Sequence, residues 1–205
     1  MYPFNPFKGQ TIQTNAPGVV ADIGYIANLT WAAAETVAAD TDGIFKGIVA
    51  SASAVVTAKP DSDKFVAQPP CARNLTVTVA ATTAAHVKAA EIVVTGKNIA
   101  GETITENFTP TDDAPATLTG TKAFASVDSV SIPKQDGASV TVDVGFGELI
   151  GLPYKLAKKR VLLTLNDGVV DTAPTLAISA SALESNTVDF NGSLDGSVMD
   201  MSIIV

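Results

Sequence analysis

Residues 91–110, EIVVTGKNIAGETITENFTP, contain two alternating runs joined by a short connection. Ile92 and Val94 share one face of the first run, and Ile104 and Phe108 share one face of the second. This two-residue repeat is typical of strands that are buried on one face and wet on the other. The stretch therefore predicts two β-strands that follow each other along the chain.

The connection between the two runs is rich in residues that favour turns. Gly96 and Gly101 bracket it, Asn98 tolerates left-handed backbone angles, and Gly101 adopts them without a Cβ clash. Such residues between β-rich runs predict a hairpin with a loop of a few residues.

Alternation of the same period recurs along the chain. It is clearest where Leu75, Val77 and Val79 alternate with threonines, and in the run from Val140 to Phe146. Asp-Gly or Asn-Gly steps begin at Asp136, Asp167, Asn191 and Asp195. Further candidate strands are residues 123–132, 160–165, 175–180, 186–190 and 198–205. We predict a mainly β protein, an antiparallel β-sandwich or jelly-roll-like domain with an extended N-terminal arm.

The chain divides into three predicted parts. Residues 1–17 form the extended arm, because prolines and a glycine interrupt a patternless segment. Residues 18–70 form a β-rich segment packed on the main domain, with a turn at Asp40–Gly43 and an end at Pro69-Pro70. Residues 71–205 form the β-sandwich domain.

Three aromatic residues lie in the arm: Tyr2, Phe4 and Phe7. Disordered tails seldom carry so many aromatics, so we expect the arm to dock on its own domain or on a neighbour. The alternative is a frayed terminus.

Composition limits the function. The 205 residues carry a net charge of −8 with a pI near 4.5, which repels a phosphate backbone and argues against nucleic-acid binding. Charged residues make up 17% of the chain, below the roughly 25% of typical domains, so much of the surface either faces partners or is covered with Thr, Ser and Ala. No export or membrane-insertion signal is readable.

The basic cluster Lys158-Lys159-Arg160 is too short for a nucleic-acid stripe. It is either a solvated turn or an anchor on an acidic partner.

The sequence predicts neither enzymatic activity nor a cofactor or metal site. His86 is the single histidine and Cys71 the single cysteine, so a histidine-paired nucleophile and a tetrahedral zinc site lack partners. We expect His86 to be an exposed or hydrogen-bonded surface residue and Cys71 a buried structural thiol. Turn chemistry explains the paired aspartates, while a weak surface Ca²⁺ site at Asp40 and Asp42 stays open.

The predicted strands and turns, taken in their succession along the chain, resemble a group of small virion proteins of tailed bacteriophages and prophages. These proteins are described as structural or capsid-decoration-like. The resemblance spans roughly residues 43–205. The segments that carry it are RNLTVTVAATT (73–83), GKNIAGETITENF (96–108), GTKAFASVDSVSIP (120–133), GLPYKLA (151–157) and ESNTVDFNGSLDG (184–196).

What the resemblance implies is a capsid decoration or cement protein that binds the outer face of the major capsid protein lattice and stabilises the head. It would be made in the bacterial host cytoplasm and assemble as a homo-oligomer, with a trimer expected, without nucleic acid or membrane. The expected contacts are Tyr2, Phe4, Phe7 and the Lys158–Arg160 cluster. The alternatives are a tail tube or fibre component, or an adhesive, carbohydrate-binding β-sandwich that would need Trp31 and Tyr25 as an exposed platform.

Overall fold

The computed structural model describes residues 24–205 and, before them, the backbone pairing of two short strands. The described residues are 49% strand and 3% helix, which confirms the predicted mainly β, antiparallel class. The predicted arm, residues 1–17, lies mostly outside the described residues. The strands are β1 Thr11–Gln13, β2 Val20–Asp22, β3 Ile26–Trp31, β4 Asp40–Val49, β5 Val56–Ala58, β6 Arg73–Ala81, β7 Ile92–Lys97, β8 Thr103–Phe108, β9 Ala116–Phe124, β10 Ser126–Ile132, β11 Val140–Gly151, β12 Val161–Asn166, β13 Val169–Val170, β14 Thr175–Ala177, β15 Thr187–Asp189 and β16 Met199–Ile204. Two 3₁₀ turns, Ala84–His86 and Leu183–Ser185, complete the set.

The strands pair antiparallel in four sheets. β1 pairs with β2 in a sheet of its own. The largest sheet has the order β14-β15-β11-β6-β9, and β4 adds to the first half of β11. A second sheet has the order β5-β10-β7-β8, and a third the order β13-β12-β16-β3. We call this third sheet the C-terminal sheet.

Two hydrophobic cores lie between these sheets, and β11 contributes to both. Val142 and Val144, both fully buried in the first half of β11, pack in the larger core with residues of β7, β8 and β10. Ile150, near the end of β11, packs in the smaller core under the C-terminal sheet, with Trp31 and Met201 among its members.

The predicted hairpin of residues 91–110 is confirmed. β7 and β8 pair residue by residue from Ile92 with Phe108 to Lys97 with Thr103. Ile92, Val94 and Phe108 are buried as the period predicts.

Two details of this hairpin differ from the prediction. Gly96 lies within β7, where a Cβ would come within 2.1 Å of the Ser126 carbonyl oxygen of β10. Gly101 does adopt a positive φ of 78°. Asn98 instead closes the loop with its side chain, since its Oδ1 accepts hydrogen bonds from the backbone N–H groups of Ala100 and Glu102, each at 3.0 Å.

The single strand predicted over residues 123–132 is wrong. The chain bends at Ala125, β9 before it pairs with β6, and β10 after it pairs with β7. One apolar run thus contributes strands to two different sheets. The sequence period does not reveal this change, because the residues before and after the bend both alternate between buried and exposed positions.

The turn predicted at Asp40–Gly43 is also wrong, because these residues begin β4. Their turn chemistry is used inside a bulged strand: the backbone N–H of Asp42 donates to the Asp40 carboxylate at 3.1 Å, and the pairing register with β11 shifts nearby. The predicted Asp167-Gly168 turn is present, with φ of 47° and 77°.

Residues 24–70 supply strands to three different sheets. β3 pairs with β16, β4 with β11, and β5 with β10. Strands from residues 24–70 are therefore hydrogen-bonded into the sheets formed by residues 71–205.

Candidate interaction surface

The structure describes one half of the predicted contact set. Tyr2, Phe4 and Phe7 lie outside the described residues. Lys158, Lys159 and Arg160 are all exposed on the segment that leads into β12. The backbone carbonyl of Arg160 accepts a hydrogen bond from the N–H of Ile204 at 3.0 Å, so the cluster is fixed at the end of the C-terminal sheet.

Directly after this cluster, the β12–β13 hairpin exposes apolar side chains. Leu162 and Leu163 are 52% and 41% exposed, and Val169 and Val170 are 69% and 72% exposed. We call these four residues the apolar hairpin patch. Because successive strand side chains point to opposite faces, Leu163 and Val170 share the face of Ser202 and Asp200, while Val169 points to the other face. Exposed apolar side chains grouped on one hairpin make it a candidate contact surface.

The hairpin that carries the patch is fixed in position by its turn. Asp167 and Gly168 both adopt positive φ, as a tight two-residue turn requires. The carboxylate of Asp167 accepts the N–H of Val198 at 2.7 Å, and the N–H of Asp167 donates to the carbonyl of Val198 at 2.9 Å. The patch is therefore held at a defined place beside β16.

Polar pairs occupy the outer face between β16 and β3. Thr30 donates its hydroxyl to the Asp200 carboxylate at 2.5 Å, and Ser202 donates to Asn28 Oδ1 at 2.7 Å. Ile26, paired with Ile204, is 65% exposed beyond them. Across the C-terminal sheet, the surface thus changes from apolar at the hairpin to hydrogen-bonded polar pairs at β3.

The basic cluster differs in sign from the chain as a whole. Its three consecutive basic residues are locally positive, whereas the whole chain has 13 basic and 21 acidic residues and is negative. Their attraction to an acidic surface acts over about 8 Å at physiological salt, because ions screen longer distances. The apolar hairpin patch and the basic cluster therefore lie next to each other at one end of the C-terminal sheet.

Sequence reasoning missed the apolar hairpin patch. Residues 161–163 are three apolar residues in a row, and β12 has a register shift between Val161 and Leu163. In a strand with one buried face such a run forces at least one apolar side chain outward, which is the signal that could have revealed the patch.

His86 joins two loops. Its Nδ1 lies 2.7 Å from the hydroxyl oxygen of Ser139, and its ring packs so closely on Gly137 that a Cβ there would lie 2.1 Å from it. Sequence spacing did not predict the Ser139 contact. Among the described residues, the ring has no hydrogen bond to a carboxylate, and the contact serves to hold residues 84–86 against residues 137–139.

Cys71 is half-buried and its thiol donates weakly to the carbonyl of Glu35 at 3.5 Å. Burial raises the pKa of the Cys71 thiol to about 11. The thiol is therefore neutral at physiological pH, and it is less buried than the sequence predicted.

The Asp40–Asp42 pair has its own partners. Asp42 forms an ion pair of 2.6 Å with Lys46, and the hydrogen bond from Lys46 lowers the pKa of the Asp42 carboxyl. Within residues 24–205, no group of three or more His, Cys, Asp or Glu side chains is placed to hold a metal ion.

Trp31 does not form an exposed platform with Tyr25. It is 7% exposed and packs edge-on against Phe190, with ring centroids 5.5 Å apart. Tyr25 is 37% exposed. The aromatic surface expected of a carbohydrate-binding sandwich is thus not formed by this pair.

Comparison with protein-family models found no match, and comparisons with curated proteins and with solved structures found none either. In the described part of the chain, no helix is long and apolar enough to cross a membrane.

Proposed function

We propose that this chain is a non-enzymatic virion structural protein, a decoration or cement protein that attaches to the outer face of a bacteriophage capsid. The ordered series of strand motifs between residues 73 and 196 supports this proposal through its resemblance to small phage virion proteins. The protein would be made in the host cytoplasm and function on the head surface, bound to the major capsid protein.

The observation that carries the proposal is the apolar hairpin patch beside Lys158, Lys159 and Arg160. A fixed apolar surface gives contact area, and the adjacent cations favour an acidic surface on the partner. Both features belong to the same end of a rigid β-sheet, which suits attachment to a preformed shell.

The size of the patch indicates how attachment works. Because neighbouring strand residues point to opposite faces, one partner surface can cover only about half of the patch, roughly 200 Å² of apolar area. Burying that half contributes about 5 kcal/mol, and the loss of translational and rotational freedom on association costs at least about as much. A second contact is therefore needed, and the basic cluster and the arm residues Tyr2, Phe4 and Phe7 supply it.

The proposal is tested by adding purified protein to capsids that lack it and measuring the bound fraction after sedimentation. We expect saturable binding that weakens as salt rises, because the basic cluster contributes. The capsids should also resist heat better once decorated. Failure to bind heads would contradict the proposal. Rings or tubes of the purified protein in negative-stain images would instead support the tail-component alternative.

A further inference from the structure

β3 is an edge strand with a long open side. It pairs with β16 over all six residues, from Ile26 with Ile204 to Trp31 with Met199, and the register has no shift. On its other side, no strand among the described residues pairs with it.

The hydrogen-bonding pattern identifies which backbone groups are free. Tyr25 and Val205 exchange both of their backbone hydrogen bonds, at 3.1 and 2.9 Å. Since such pairs alternate along an antiparallel ladder, Ala27, Leu29 and Trp31 direct their backbone groups toward β16. Ile26, Asn28 and Thr30 direct their N–H and C=O groups to the open side.

β3 also lacks the features that usually protect an edge. Its sequence, IANLTW, contains no charge and no proline, and it has no bulge. Among the other outer strands, β13 has two residues and β5 and β14 have three each. β4 and β9 are longer, but β4 is bulged and contains charged residues, and β9 contacts β8. β8 is partly covered, because the Thr105 carbonyl accepts the Lys122 ammonium at 2.7 Å and Glu106 accepts the N–H of Thr121 at 2.8 Å.

We propose that β3 pairs with β3 of a second copy of this chain around a two-fold axis at Asn28. With the axis there, the three free residues match each other. Asn28 faces Asn28 of the second copy, and Ile26 faces Thr30 of the second copy in both directions. Each matched pair exchanges two hydrogen bonds, and the two C-terminal sheets become one continuous sheet of eight strands.

The side chains and charges suit this register. Tyr25, 37% exposed, comes opposite Trp31 of the second copy on the inward face. Asp200, on the outer face of the neighbouring strand β16, lies one strand away from the proposed contact. Two copies of β16 would be separated by three strand spacings, about 14 Å, where salt screens their repulsion. A net charge of −8 per chain is therefore no obstacle to pairing at this edge.

A ladder of six residues buries less than the roughly 800 Å² per partner of a typical stable complex. We therefore expect dimerisation in solution to depend on protein concentration. On any surface that concentrates the protein, the same contact becomes effectively intramolecular and strengthens.

Cross-linking the full-length chain tests the register directly. In the proposed dimer, two Asn28 Cα atoms lie about 5.5 Å apart, within disulfide range. Two Thr30 residues lie four positions apart along the ladder, about 13 Å. Under mild oxidation, Asn28→Cys should form covalent dimers, and Thr30→Cys should form about tenfold fewer or none. Each substitution removes one side-chain hydrogen bond, so the two variants are matched.

A charge substitution provides a second test by sedimentation velocity over a range of concentrations. Asn28→Asp keeps an acceptor for Ser202 but places two carboxylates opposite each other, so the dimer dissociation constant should rise about tenfold at low salt. The control is Asn191→Asp, the same change on an exposed loop, which should leave dimerisation unchanged.

Three results would overturn the proposal. One is equal cross-linking of Asn28→Cys and Thr30→Cys. Another is a trimer that Asn28→Asp leaves intact. The third is a full-length chain that is monomeric at all concentrations and whose thiol, introduced by Asn28→Cys, resists alkylation. That result would mean that the chain's own N-terminal residues cover the open edge of β3.

Discussion

Arg73 donates two hydrogen bonds to the backbone carbonyl of Gly147, one from Nε at 2.8 Å and one from Nη2, while its guanidinium lies 5.2 Å from the centre of the Phe146 ring. Its Nη1 donates to the carbonyls of Glu35 and Val37 at 3.2 and 3.1 Å. Arg73 is fully buried, and among the ion pairs of the described residues none includes it. Backbone carbonyls thus hold a buried cation where the two cores meet.

Burial lowers the pKa of Arg73, yet an arginine stays protonated inside proteins. Arg73→Met should therefore destabilise the fold by about 3 kcal/mol or more, because buried carbonyls lose their donors. Urea unfolding measures the change. Lys134→Met, which removes an exposed cation, should cost less than about 0.5 kcal/mol, and an equal loss in both variants would show that Arg73 is not a structural junction.

The register of β11 is tested by two neighbouring substitutions. Val142 is fully buried and paired on both sides, whereas Thr141 is half-buried on the opposite face. Val142→Asp should cost several kcal/mol, about the whole stability of a domain, and Thr141→Asp should be mild. Thermal melts compare them, and equal damage would mean that both faces of β11 are covered.

The raised pKa of Cys71 predicts its reactivity. A pKa of about 11 in place of 9.0 leaves about a hundredfold less thiolate at pH 8, so iodoacetamide should label the native thiol about a hundredfold more slowly than a free thiol. Since the folded pKa lies above the unfolded one, stability should fall as pH rises from 9 toward 11, and Cys71→Ala should remove that part of the fall. Rapid labelling of folded protein at pH 8 would contradict the burial argument.

The aromatic arm remains a prediction from sequence. Phe4→Ala combined with Phe7→Ala should leave the melting temperature unchanged but weaken attachment to capsids, because each ring can bury roughly 150 Å² in an apolar pocket. Sedimentation with capsids measures the bound fraction. Undiminished binding would remove the arm from the mechanism and leave attachment to the surface near Lys158–Arg160.

Sequence period predicted those parts of the fold that alternate without interruption. The β7–β8 hairpin and the inward valines of β11 follow directly from it. The sequence period did not predict the change of sheet at Ala125, because buried positions continue to alternate on both sides of the bend. The burial of Arg73 was not predicted either, since a charged residue at the start of a strand is ordinarily exposed and its carbonyl partners are far away in sequence.

Of the candidate surface, the sequence indicated the basic cluster but not the apolar hairpin patch. Charge is visible residue by residue. The exposure of Val169 and Val170 depends on the two-residue strand β13 lying at the edge of its sheet, which is a property of topology.

We propose that the apolar hairpin patch attaches the protein to a capsid, and the effect of charge on this patch tests that directly. The measurement is the fraction bound to capsids for Val169→Asp/Val170→Asp, compared with Val55→Asp/Val66→Asp, which changes two other exposed valines in the same way. With both variants folded, we expect the first to bind at least about tenfold more weakly than wild type, since a carboxylate would have to be desolvated whichever face of β13 lies in the contact. The second should bind as wild type does. Equal binding by both variants would show that the apolar hairpin patch is not the attachment site.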